Sequence, residues 1–275
     1  MSNNHIPTIL IIGAGLGGLL LYHGIQKHLN KNVKKFNVVI FERDIGPQDR
    51  WQGDLMLEGV NIQWGKKCIG YDEFDDEVWA IFQDGTRVRG DILIGCDGIN
   101  SSIRKQRLPH LQLFDYGITQ ILIDVTPNKK LMDRIIALNG NFLVQKTFGQ
   151  DGDTTFSLMR TYNPPRRRPL QDINPMSVEA WEPTRVTLLG DAVHAMNPFL
   201  GYGANNALQD AESLVKCLSN YEKDGYKNCI REYENEMRVR SSRDVLESRE
   251  NCLTQNLPKS KYGYLFNDIY LSGKL

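Results

Sequence analysis

An apolar strand, a glycine-punctuated turn opening a helix, and a second apolar strand ending in an acid place this sequence in the α/β class. The strand is Thr8–Ile12, the turn Gly13–Gly18, the helix Leu19–Leu29 and the second strand Phe36–Glu42. Strands that are apolar without alternation belong to a parallel sheet covered on both faces. Two further segments repeat the pattern, Asp91–Gly98 and Arg185–Asp191, each a buried strand closing on an acid beside a glycine.

The remaining elements follow in order. Asp44–Gly53 is rich in Gly, Pro and charge and reads as a loop, and Asn61–Asp72 reads as one strand. Val78–Gln83 and Thr86–Arg89 flank Asp84-Gly85, a two-residue hairpin signal. Tyr116–Val125, Asn141–Phe148 and Thr154–Tyr162 read as strands of a second, smaller, mainly antiparallel sheet, with a short helix near Lys129–Leu138. Arg166-Arg167-Arg168 lies among prolines and reads as a solvated loop. A helix is expected from near Gly203 to Leu218, and Tyr226–Asn251, dense in mixed charge, reads as a long surface helix with a solvated face.

Composition narrows the function classes. The 275 residues carry 33 Lys plus Arg against 33 Asp plus Glu, a formal charge of zero. That removes the electrostatic case for nucleic acid or an anionic membrane as partner. Five cysteines without a Cys-x-x-Cys pair argue against a disulfide framework or zinc site. The uncharged run Ile9–Leu21 is too short for a membrane span, and its glycines give it another use. No membrane segment and a cytoplasmic location are expected. The end Gly273-Lys274-Leu275 reads as a bare terminus rather than a peroxisomal signal.

Gly13-x-Gly15-x-x-Gly18 between strand and helix is a Rossmann-like dinucleotide fingerprint. Glycine permits the tight turn, the approach of backbone to a pyrophosphate and the packing of helix on strand, while the helix amino end supplies N–H groups. Glu42, 24 residues after Gly18, is placed to accept from ribose hydroxyls. NAD and FAD share this fingerprint. His194 reads as a structural histidine, since no second histidine or paired acid stands at a useful spacing, and Ser101 lacks the setting of a nucleophile.

Two later segments choose between the dinucleotides. Asp97-Gly98-Ile99-Asn100-Ser101-Ser102-Ile103-Arg104 and the stretch from Gly190-Asp191 through Pro198, Gly201-Tyr202-Gly203-Ala204-Asn205 and Asp210-Ala211 stand in order after the fingerprint and Glu42-Arg43. With all three, the sequence resembles the class A flavoprotein monooxygenases, the p-hydroxybenzoate hydroxylase-like family. The resemblance implies a Rossmann-like FAD-binding domain with a smaller antiparallel substrate domain. It assigns 1–110 and 182–255 to the first, 111–181 to the second and 256–275 to a C-terminal tail.

The resemblance also implies roles. Asp191 would bind a ribitol hydroxyl, and Pro198 with the backbone of Gly201, Gly203, Ala204 and Asn205 would lie along the flavin ring. Asp97 and Arg104 match a motif associated with both FAD and NAD(P)H, and Arg43 and Arg50 fall where FAD contacts of the family align. The implied activity is hydroxylation of an aromatic or similar small organic substrate with NAD(P)H and O2. Two stretches that the family fills are short here, Arg43 to Arg50 and Tyr162 to Trp181, and Tyr202 stands where many relatives have glutamine. The alternative they raise is a shortened FAD-binding relative without hydroxylase activity.

Overall fold

The structure, a computed structural model, describes residues 5–47, 57, 59–122, 146–148, 155–157, 166–221 and 225–256. It divides into two compact units, Met1–Phe114 with Gln171–Ser248, and Asp115–Leu170 with Arg249–Leu275.

The first unit is built on a five-stranded sheet. In chain order β1 is Thr8–Ile12, α1 Leu16–Gly24 with a π-helical continuation through Ile25–Leu29, β2 Asn37–Phe41 and β3 Ile62–Gln63. Next come β4 Cys68–Glu73, β5 Val78–Phe82, β6 Arg87–Gly90, β7 Ile92–Gly95 and α2 Ser102–Arg107. After β8 Phe114–Leu122, β9 Lys146–Phe148, β10 Thr155–Ser157 and β11 Arg166–Asp172, which fall mostly in the second unit, comes β12 Val186–Leu188. Then follow α3 Asp191–His194, α4 Tyr202–Ser219 and α5 Tyr226–Asn256.

The sheet order is β12-β7-β1-β2-β3, and each neighbouring pair is parallel. Ile9, Leu10 and Ile11 are fully buried because both faces of β1 are covered. Side chains alternate between the faces. On the Ile11 face lies α1, close enough that a Cβ on Gly18 would stand 3.2 Å from Ile11 Cγ2. On the Leu10 face lies the antiparallel meander β4-β5-β6, where a Cβ on Gly90 would stand 2.6 Å from Leu10 Cγ. The rings of Phe41 of β2 and Phe82 of β5 pack tilted at 41° across this layer with centroids 4.6 Å apart.

Three expectations need correction. Asn61–Asp72 is two strands: β3 extends the parallel sheet, and after a turn at Gly65, φ +68°, β4 starts the meander. The Gly65 N–H donates to Asp44 O at 2.8 Å, which breaks the run. Arg166–Arg168 is not a loop but opens β11, paired with β8. The long charged helix is not merely a surface element. Ile230, Tyr233, Met237 and Val245 recur at helical spacing and are fully buried, and Tyr233 Oη donates to Leu188 O at 2.9 Å. Residues 171–181 pack within the first unit, where Ile173 is fully buried and Arg238 donates to Val178 O at 2.8 Å.

The hairpin around Asp84-Gly85 forms as expected, with Gly85 at φ +83°. In the second unit β9 and β10 pair antiparallel, Thr155 opposite Phe148. The expected helix near Lys129–Leu138 lies outside the described residues. Among the described residues no helix is long and apolar enough to cross a membrane.

Candidate functional site

Four strands of the first unit end on the same edge of the sheet, and the loops that follow them carry most of the residues singled out in the sequence. After β1, Gly13 has φ +107° and donates its N–H to Phe41 O at 2.8 Å. A Cβ there would stand 2.3 Å from Cys96 O, and one on Gly18 2.1 Å from Gly13 O. Both positions therefore require glycine for the approach of strand, turn and helix. Gly15 differs: a Cβ there would meet nothing within 4 Å, and α1 begins at it without a side-chain cap. This open space beside uncapped N–H groups is the part of the turn left for a ligand.

After β2, Glu42 closes the turn from the side. Its Oε2 accepts the Ala14 N–H at 2.7 Å, and its Oε1 accepts the N–H groups of Arg43 at 2.8 Å and Asp44 at 3.2 Å. The Arg43 side chain is exposed. Arg50 lies outside the described residues.

After β7, Asp97 Oδ2 accepts from the Ser102 N–H at 2.8 Å and the Ser102 hydroxyl at 3.2 Å. Its other oxygen, Oδ1, is buried with no hydrogen-bond partner among the described residues. An unanswered buried carboxylate oxygen marks a place where a donor belongs. Ser101 caps α2 through the Arg104 N–H at 2.9 Å, which is a structural use of the hydroxyl. Arg104 itself is 2% exposed, and its Nη1 donates to Ile99 O at 2.8 Å and Ala192 O at 3.0 Å. The structure thus places it as a brace between the loops after β7 and β12. Burial draws its guanidinium pKa down, opposed by the Asp97 charge.

After β12, Gly190 at φ +67° turns the chain into α3, whose first residue, Asp191, is exposed. Asp191 Oδ1 is 3.9 Å from the position of a Cβ on Gly203. Asn197 Oδ1 accepts the Phe199 N–H at 3.2 Å and so shapes the single turn at Pro198–Leu200, and Gly201 at φ +70° leads into α4. No side chain caps α4, and Pro198, Gly201, Ala204 and Asn205 are exposed. Gly203 is partly buried in this first turn.

The helices α1 and α4 run parallel, since Gly17 faces Ala207 and Gly24 faces Val215, where Cβ atoms would be 3.7 and 2.9 Å from them. Two uncapped amino ends therefore stand side by side, and their dipoles favour negative charge at the same edge.

The expectation that His194 has no paired acid is corrected. His194 is fully buried, and its Nε2 is 2.6 Å from Asp210 Oδ2. Asp210 Oδ1 accepts Arg240 Nη2 at 2.7 Å. Sequence spacing hides this triad because its members come from three helices. A signal exists nonetheless: Asp210 sits on the apolar stripe of α4 with Ala207, Ala211 and Leu214. An acid on a core stripe needs partners.

The described residues fit FAD. A glycine-lined opening, a strand-end glutamate, an unanswered buried Asp97 oxygen and two uncapped helix ends match a pyrophosphate, a ribose, a donor and an electron-rich ring edge in turn. The fold and site together define a protein of the Rossmann-like, dinucleotide-binding type, and the known proteins that this chain resembles carry that further. Residues 153–248 match the family described as FAD binding domain. The FAD-dependent monooxygenase thnD of Trichoderma harzianum is 29% identical, the match covering 71% of this chain and 65% of that protein. Salicylate hydroxylase of Pseudomonas putida is 26% identical over 61% of this chain and 52% of its own length. Klebsiella pneumoniae HpxO, solved with FAD and uric acid, superposes at a TM-score of 0.70 with 19% identity, covering 97% of this chain and 92% of that one. The chain is thus similar to FAD-dependent monooxygenases, and residues 153–248 carry the likeness to an FAD binding domain. It spans less than two thirds of the length of the curated relatives named here.

Proposed function

We propose that this protein is an FAD-dependent monooxygenase that uses NAD(P)H and O2 to hydroxylate an aromatic or similar small organic substrate, and that it works in the cytoplasm. The observation that carries the reading is the pair of parallel, uncapped helix ends, α1 at Gly15 and α4 at Gly201, beside the buried orphan oxygen of Asp97. Bound FAD supplies hydride acceptance and reactivity towards O2, which side chains lack.

In this reading the chain's own groups bind and orient. The N–H groups following Gly15 take the pyrophosphate, and Glu42, already fixed by the Ala14 N–H at 2.7 Å, offers its remaining lone pairs to ribose hydroxyls. Asp191 accepts from a ribitol hydroxyl. The amino end of α4, from Gly201 to Asn205, places its dipole and N–H groups at the ring edge where negative charge gathers on reduction. Asp97 takes a donor from the cofactor, and Arg104 holds the two loops at their spacing. The assignment of a flavin-binding part and a substrate part to the chain belongs to the same proposal.

The test is purification with FAD followed by NAD(P)H oxidation assays across small aromatic acids and phenols. A yellow protein whose NAD(P)H consumption rises with a substrate and yields a hydroxylated product is the expected result. Colour without product under any substrate replaces the proposal with the FAD-binding relative, and no colour removes it.

A further inference from the structure

Beneath the Gly190-Asp191 turn lies a buried ion network that the residues facing the cofactor do not include. Asp210 is fully buried on α4. Its Oδ2 accepts the Gly190 N–H at 2.8 Å and meets His194 Nε2 at 2.6 Å, while Oδ1 accepts Arg240 Nη2 at 2.7 Å. Arg240 also donates to Asn206 Oδ1 at 2.7 Å, and Asn206 donates to Asp244 Oδ2 at 2.9 Å. One carboxylate thus joins the end of β12, the short helix α3, the first half of α4 and the long helix α5.

Burying this acid serves no packing need, because Ala207, Ala211 and Leu214 already supply the apolar stripe of α4. A carboxylate that is both buried and charged needs partners that pair and hydrogen-bond it. Burial opposes both ionised forms, yet the Asp210 charge and bond hold His194 above its ordinary pKa, and His194 with Arg240 hold the Asp210 carboxyl below its own. The bonds that satisfy it run to the Gly190 turn, immediately before Asp191, and to α3.

We propose that Asp210 is a positioning residue for the cofactor: gripped by His194 and Arg240, it fixes Asp191 and the uncapped amino end of α4 at the spacing FAD requires. The proposal rests on FAD being the ligand of this edge. Loops held in the bound geometry spare the ordering cost that binding would otherwise carry.

A second buried pair provides the control. Arg107 Nη2 stands 3.3 Å from Glu234 Oε1, which also accepts from Thr187 Oγ1 at 2.9 Å, and neither partner bonds to the Gly190 turn or α4. The experiment measures FAD dissociation constants by flavin fluorescence on apoprotein variants, at a temperature where circular dichroism shows each folded, together with the visible spectrum of bound flavin. Asp210→Asn is expected to weaken FAD binding about tenfold or more, as losses behind a ligand contact do, and to move the bound-flavin band towards that of free FAD. Glu234→Gln is expected to lower stability while leaving FAD affinity within about twofold. His194→Gln keeps a donor for Asp210 and is expected to retain most of the affinity. If Asp210→Asn does not fold, Arg240→Gln takes its place, with a smaller loss in the same direction. Unchanged affinity in the Asp210 or Arg240 variant, or an equal loss in Glu234→Gln, overturns the inference. Wild-type protein that binds no FAD overturns the cofactor reading and the inference with it.

Discussion

The two edges of the parallel sheet treat buried polar groups in opposite ways. At the amino edge Arg185, 3% exposed, directs its guanidinium to the carbonyls of Asp75 at 2.6 Å and Asp91 at 3.1 Å and lies 4.2 Å over the Tyr226 ring. Its N–H donates to Glu73, and Asp91 in turn accepts the Thr8 N–H at 2.7 Å. At the carboxyl edge the protein instead leaves capacity unspent: an orphan Asp97 oxygen, two uncapped helices and open space at Gly15. The first edge spends its hydrogen bonds on cohesion, whereas the second, with its Asp210 network spent inside the protein, keeps its outermost groups open. Position in an α/β sheet explains this, because parallel strands deliver helix amino ends and loops to the carboxyl edge.

Substitutions can break that contrast, and the largest effect belongs at a glycine that serves both roles. Gly13→Ala places a Cβ 2.3 Å from Cys96 O at φ +107°. A loss of about 4 kcal/mol in urea unfolding, with FAD binding abolished, is the expected outcome. A mild effect would show that the turn can relax. Next is Arg185→Met, which strips the carbonyls of the amino edge of their donor. It should cost about 3 kcal/mol of stability with the FAD dissociation constant unchanged. A shift in FAD affinity there would dissolve the separation of the two edges.

Gly15→Ala is the converse case. Its Cβ enters open space, so the apoprotein should unfold within a degree or two of wild type, whereas FAD affinity should fall about tenfold, or about 1.4 kcal/mol. Tight FAD binding by this variant would place the pyrophosphate elsewhere. The smallest effect is on pH. His194 has its folded pKa raised by Asp210 against the pull of burial, so it contributes stability that is whole below its ordinary value of 6.5 and is lost as pH rises through the folded value. Asp210 is the reverse: its lowered folded pKa contributes stability above 3.8 that is lost as pH falls. The unfolding free energy from urea titrations should fall between pH 6 and 9 by about 1 kcal/mol more in wild type than in His194→Gln. Parallel curves would show that the ring does not carry a proton in the folded state.

Legibility followed the range of the interactions. The βαβ unit, the hairpin at Asp84-Gly85 and the strands ending at Asp97 and Asp191 were readable because each is specified by neighbours within a few residues. The break between β3 and β4 was not, since it depends on the Gly65 N–H reaching Asp44. Nor was β11, whose arginine-rich sequence takes its strand form by pairing with β8. The charge-rich helix α5 read as solvated because its apolar stripe is thin, and only packing showed that Glu234 and Arg238 are buried within it.

The sequence by itself pointed to the kind of ligand. Glycine spacing, strand pattern and terminal acids encode local backbone geometry, and three ordered motifs carried the flavin reading. Only the tertiary structure decided which of those groups are free to meet the ligand and which are spent inside the protein. Asp210 lies 16 residues from His194 and 30 from Arg240, and no local rule pairs them. A buried charge is defined by what surrounds it in space, and that is settled when distant segments pack.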